Sequence, residues 1–110
     1  LPVLLHEGVI KRRIPIEKVI EKLTKRPAEI FGIYPQKGSM MIGSDADITI
    51  IDLNRVKEVR VENLFSRSDF SLYEGKTLQG WPVTTIKSGK VIYEDEKFTG
   101  EKADCTYLKR

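Results

Sequence analysis

Apolar residues recur at helical spacing in the first third of the chain and at strand spacing in the remainder. Between Ile16 and Leu23, the residues Ile16, Val19, Ile20 and Leu23 stand at i, i+3, i+4 and i+7, and Glu17, Lys18, Glu21 and Lys22 fill the other side. This is one apolar stripe on an amphipathic helix. Pro15 suits the first helical position, where no intrahelical donor is needed. Pro27 disfavours helical geometry at Arg26, which predicts a stop there. Pro27 then opens a short second helix, Ala28 to Phe31, with Gly32 as its left-handed C-terminal residue. Pro2 to Val9 is a further helix candidate with Leu4, Leu5 and Val9 inward, weakened by Gly8.

Past Tyr34-Pro35 the signals become β. Lys37 to Asp52 reads as a strand, a tight turn at Gly43-Ser44-Asp45, and a second strand in which Ile48 and Ile50 alternate against Thr49. Asp52-Leu53-Asn54 reads as its ending turn, and Val56 to Val61 as a further strand. Val83 to Lys87 and Lys90 to Glu94 flank Ser88-Gly89, a two-residue hairpin connection. Ser66 to Pro82, rich in Ser, Gly and Asp, reads as an ordered loop of roughly 17 residues, beyond the ordinary loop range. The tail after Gly100 reads as irregular. The expected class is α+β, with a helical segment at 1–34 and a β segment at 35–110. So thin a sheet leaves edges to be covered, and such apolar helices need a larger body to lie against.

Composition narrows the options. The chain has 110 residues, with 40% hydrophobic and 32% charged content, the balance of a folded protein. No apolar run reaches the ~20 residues of a membrane span, and Leu1 to Leu5 lacks the basic lead of a signal peptide. The net charge of +3 arises from 19 bases interspersed with 16 acids. Lys11-Arg12-Arg13 is the longest basic run, and no aromatic ladder accompanies it, which argues against a nucleic-acid surface. The single Cys105 excludes an intramolecular disulfide and fits a reducing, cytoplasmic setting. The absent initiator Met and a start inside a helix fit part of a longer protein.

Candidate chemistry is sparse. Hydrolytic zinc needs at least three converging ligands and an open water position. The chain has one histidine, His6, whose neighbour Glu7 would point in another direction on a helix. Asp45 and Asp47 share a strand face by spacing and could serve a hard cation or acid–base work. A turn residue and a strand-opening residue are the competing reading. Gly75-Lys76-Thr77 echoes only the end of a phosphate loop, and Ser66, Ser68 and Ser71 have no histidine beside them. These residues give no catalytic, substrate-binding or metal assignment.

Several blocks in order resemble the C-terminal quarter of the cyclic-amide amidohydrolases, the hydantoinase, dihydropyrimidinase and dihydroorotase family. They are Leu1 to Val9 with Arg13-Ile14-Pro15-Ile16, Arg26-Pro27-Ala28-Glu29-Ile30-Phe31-Gly32-Ile33-Tyr34-Pro35-Gln36-Lys37-Gly38, and Gly43-Ser44-Asp45-Ala46-Asp47. Asp69 to Gly75, Gly80-Trp81-Pro82-Val83, Gly89-Lys90-Val91 and Leu108-Lys109-Arg110 follow. Arg26 stands where the family usually has asparagine. Tyr73-Glu74-Gly75 and Gly80-Trp81-Pro82 lean toward hydantoinase or dihydropyrimidinase. The resemblance implies N-terminal helices from the end of a (β/α)8 barrel, followed by part of a small β-sandwich.

It further implies a parent enzyme with a binuclear zinc centre, held by residues upstream of Leu1. This chain would then carry no cofactor and would serve a structural or oligomerising role. Its expected partners are the missing barrel portion and further copies of the enzyme, with neither nucleic acid nor membrane. The rival readings are a free-standing β-domain interaction module and a small basic nucleic-acid binder.

Overall fold

The chain is helical from its second residue. In the computed structural model, which describes residues 1–101, 107 and 108, an α-turn at Pro2–Leu4 (α1) runs directly into a π-helical stretch at Leu5–Lys11. The expected Pro2–Val9 helix is thus present and two residues longer, with a wide winding that the sequence did not suggest. Arg13, at φ 54°, turns the chain into the second helix, Ile16–Leu23 (α2). Pro15 stands one position ahead of the expected one. It caps α2, and its carbonyl accepts from the Lys18 N–H at 3.0 Å.

The break after α2 falls at Thr24 and not at Arg26, and the third helix is Lys25–Ile30 (α3). The cause is the second steric effect of proline. The ring of Pro27 would collide with the carbonyl four residues back, on Leu23, so the chain turns away at Thr24 and Pro27 rides in the first turn of α3, where its N–H is not missed. Gly32 adopts φ +70° as expected. Gly32 N–H donates to the Glu29 carbonyl at 3.1 Å and Ile33 N–H to that of Ala28 at 2.9 Å, the paired closure of a Schellman motif.

The strand expected from Lys37 does not form. Gly38, at φ +77°, lies so close to α3 that a Cβ there would sit 2.8 Å from Ala28 Cβ and 2.9 Å from the Thr24 carbonyl oxygen. The segment up to Asp47 is a loop closed on itself. The first strand, Ile48–Glu58 (β1), instead unites the expected strand ending at Asp52 with the one starting at Val56. Asp52 does make its local turn, accepting from Asn54 N–H at 2.8 Å, but the outcome is a bulge inside a continuing strand. Past it, Val61–Asn63 forms a single 3-10 turn, so the Val56–Val61 reading ends early.

Ser66 to Pro82 is only partly loop, because the second strand, Thr77–Lys87 (β2), starts well before Pro82. Pro82 is tolerated beside a register shift, where β3 does not reach it. The hairpin to Lys90–Glu94 (β3) forms as expected, with Ser88 and Gly89 both at positive φ, which suits a type I′ turn. A second tight turn at Asp95-Glu96 leads into Lys97–Phe98 (β4). The sheet is an open antiparallel meander in the order β1-β2-β3-β4, preceded by the helices. Leu5, Ala28, Val59 and Leu78 are the buried apolar residues among those described.

Candidate functional site

The junction between the N-terminal helix and β2 holds the chain's one histidine. The π-helical stretch lays two successive side chains against β2. Leu5 is fully buried, and its Cβ lies 3.0 Å from where a side chain on Gly80 would begin. Gly80 takes φ +91°, a conformation that glycine adopts freely. His6 Nδ1 accepts from the Gln79 backbone N–H at 3.1 Å. The neutral imidazole therefore carries its proton on Nε2, which faces Glu7 Oε1 at 3.9 Å. The Gln79 side chain reaches the other way, donating to the Leu53 carbonyl at 3.0 Å and so filling the β1 bulge.

Asp45 and Asp47 also come together, but around a cation of their own chain. Lys37 Nζ pairs with Asp45 Oδ2 at 2.9 Å and with Asp47 Oδ2. Asp45 accepts from Gln36 Nε2 at 3.3 Å, and Asp47 Oδ1 from the Ser88 N–H at 2.8 Å. The Gly89 N–H donates to the Ala46 carbonyl at 3.0 Å, so the loop is tied to the β2–β3 hairpin twice. Lys37, and then the Ser88 N–H, hold the Asp47 carboxyl below the usual carboxylate range. Asp47 and Asp45 in turn raise the Lys37 ammonium above its ordinary value. The three side chains thus form a clamp within the loop, with the Asp45 carboxylate on side chains and not on the local backbone as the turn reading expected.

Among the described residues, no three His, Cys, Asp or Glu side chains converge as a metal site would require. His6 Nδ1 is taken by Gln79, and both carboxylates of the clamp are taken by Lys37, Gln36 and Ser88. This donor set does not fit a binuclear centre. Cys105 lies outside the described residues. Gly75-Lys76-Thr77 leads into β2, with Lys76 Nζ 5.7 Å from the centre of the Tyr73 ring. Ser66, Ser68 and Ser71 are spent on local turns, Ser66 Oγ accepting from Ser68 N–H and Ser71 Oγ from Tyr73 N–H.

Two features had no signal in the sequence. A hollow of about 380 Å³ lies on the sheet, floored by Phe65, Trp81, Ile92, Tyr93 and Phe98. Beside it, Arg55 and Lys57 on β1 both reach Glu96 Oε1 at 2.6 Å, and Lys57 Nζ lies 5.4 Å from the Trp81 ring centre. These two bases and Glu96 are about forty residues apart, so periodicity could not pair them. No helix among the described residues is long and apolar enough to cross a membrane.

Comparison with known proteins places this architecture. The family model described as "Amidohydrolase family" matches residues 3–92. The L-hydantoinase of Paenarthrobacter aurescens is 40% identical over 110 residues, all of this chain and 24% of that protein. The D-hydantoinase of Ralstonia pickettii is 36% identical over 107 residues, 97% of this chain and 23% of that one. A crystal structure of D-hydantoinase superposes with a TM-score of 0.94 at 34% identity, covering 99% of this chain and 24% of the other. The chain thus spans about a quarter of the length of the relatives it matches. It belongs to the amidohydrolase family, in which it matches the hydantoinase and dihydropyrimidinase branch.

Proposed function

We propose that these residues are the C-terminal part of a metal-dependent hydrolase that opens cyclic amides of the hydantoin, dihydropyrimidine or dihydroorotate type. In this reading residues 1–34 close the (β/α)8 barrel and residues 35–110 supply part of the flanking β-sandwich. They contribute structure and subunit association to a homo-oligomer working in the cytoplasm, while the zinc pair and the substrate contacts belong to other polypeptide of the same enzyme. The observation that carries the reading is a likeness to hydantoinases along the chain, combined with the engagement of His6 Nδ1, Asp45 and Asp47 within the chain. Tyr73-Glu74-Gly75 and Gly80-Trp81-Pro82 favour hydantoin or dihydropyrimidine rings over dihydroorotate.

The test is expression with and without the flanking coding sequence, each product assayed for zinc and for ring opening of hydantoin, dihydrouracil and dihydroorotate. The longer protein should open at least one ring, and the 110-residue chain should bind no stoichiometric zinc and open none. Zinc-dependent hydrolysis by the chain alone, or a zinc-loaded longer protein inert on all three rings, would overturn the proposal.

A further inference from the structure

The loop between α3 and β1 is braced from inside and bare outside. Lys37 is held by Asp45 and Asp47, and Gln36 by Asp45. The Ser39 and Ser44 hydroxyls lie 2.5 Å apart and each oxygen is 2.8 Å from the Pro35 carbonyl, so one hydroxyl donates to the other, which donates to the carbonyl. Ser44 N–H closes a turn on the Met41 carbonyl at 3.0 Å, and Gly38 rests on Ala28. Every polar side chain between Gln36 and Asp47 is thereby spent within the loop or on the adjacent hairpin. What remains outward is Met40, Met41 and Ile42, at 85%, 54% and 109% exposure. Three successive large apolar side chains on so braced a support form a built protrusion and not a slack segment.

We infer that Met40-Met41-Ile42 is a docking knob for an apolar surface on the same enzyme's polypeptide outside these 110 residues. The inference rests on the reading of the chain as part of a longer hydrolase. Two observations choose the occupant. The relatives carry about three quarters of their length beyond the matched region, so covering polypeptide exists in them. The loop also offers no free cation, since its one lysine is held between two carboxylates and leaves a net negative charge, which disfavours an anionic lipid surface or nucleic acid. Unbranched thioether side chains suit an irregular apolar seat, because they adapt their shape to fill it.

Met40 and Met41 are the only methionines in the chain, so methionine oxidation reports on this knob alone among these residues. Hydrogen peroxide transfers one oxygen to the thioether, giving the sulfoxide and water. The rate at the two positions is read by peptide mass mapping of the longer protein, native and in guanidinium chloride, at two protein concentrations. Both methionines should oxidise at least about tenfold more slowly in the native protein, equally at both concentrations. Equal rates in native and denatured protein would overturn the inference, as would protection that disappears on dilution, which would assign the knob to a second copy. Ring-opening activity measured on the same preparation separates the two proposals: activity with unprotected methionines removes the knob and leaves the function standing.

Discussion

Replacing Gly80 with alanine tests whether the helix is seated on β2 as described. Two costs combine there. At φ +91° an L-residue is held in left-handed backbone, which costs about 1–2 kcal/mol. The new Cβ would also meet Leu5 Cβ at 3.0 Å and Cδ1 at 3.4 Å, and crowding of this kind in a packed site costs about 1–3 kcal/mol. Gly89 supplies the control. It adopts φ +80° with nothing within 4 Å of a Cβ, so Gly89→Ala carries the backbone cost alone.

Gly80→Ala should therefore destabilise by about 2–5 kcal/mol and Gly89→Ala by about 1–2 kcal/mol. Urea denaturation followed by the fluorescence of Trp81, the only tryptophan, gives both values. Against a typical total of about 5–15 kcal/mol the difference is large enough to resolve. Equal losses, within about 0.5 kcal/mol, would mean that Leu5 does not press on Gly80, and the described junction would be wrong.

Three further outcomes follow from the same contacts. His6→Ala leaves the part-buried Gln79 N–H without its acceptor and should cost about 1–2 kcal/mol, whereas His6→Asn, whose amide oxygen can replace Nδ1, should recover much of it; hydrogen exchange at Gln79 reads both. The Lys37–Asp47 clamp should weaken at both pH extremes. Asp47 is depressed in the fold, so its contribution is complete above the ordinary aspartate value of about 3.9 and is lost as pH falls through the lower folded value. Lys37 is raised, so its contribution is complete below about 10.4 and is lost as pH rises through the higher folded value. Urea midpoints across pH check this, and Asp47→Asn should flatten the acid limb. Glu96→Gln should shift the urea midpoint only slightly, and the shift should lessen with salt, since the bridge to Arg55 and Lys57 is half exposed.

The helices and the β2–β3 hairpin were legible because each rests on signals within a few residues, such as the stripe from Ile16 to Leu23 and the Ser88-Gly89 turn. Reading failed where two local rules competed or where a distant contact decided. Pro27 was given its effect on Arg26, yet its clash with the Leu23 carbonyl set the break. Gly80 and Pro82 looked like loop residues because no local rule announces that Leu5 will lie on Gly80, or that β3 stops short of Pro82. Asp52 was read correctly as a turn former, but Gln79, reaching the Leu53 carbonyl, converted the turn into a bulge and let β1 continue. Of the site residues, Asp45 and Asp47 were legible as neighbours by their spacing, but their shared partner Lys37 was not legible. Nor was the Nδ1 bond of His6, since its partner lies 73 positions away.

The same contacts explain what a segment with no metal site assembled among its described residues can give an enzyme. The segment before β1 holds the β2–β3 hairpin at two places: through Leu5 and His6 at Gln79-Gly80, and through the loop that follows α3 at Ser88-Gly89. These anchors are nine residues apart in sequence, roughly 30 Å along an extended strand. One anchor would permit the sheet to pivot against the helices, but two at that separation resist rotation about either. If α1 to α3 close the barrel as proposed, the sheet is held to it as a rigid body, and loss of one anchor should loosen that attachment without touching the reacting groups. Gly80→Ala in the longer protein should then lower Tm by several degrees, as expected from a loss of a few kcal/mol, while kcat/KM at a temperature well below unfolding stays within about twofold. A tenfold fall in kcat/KM with unchanged Tm would place the junction in the catalytic machinery and defeat this account.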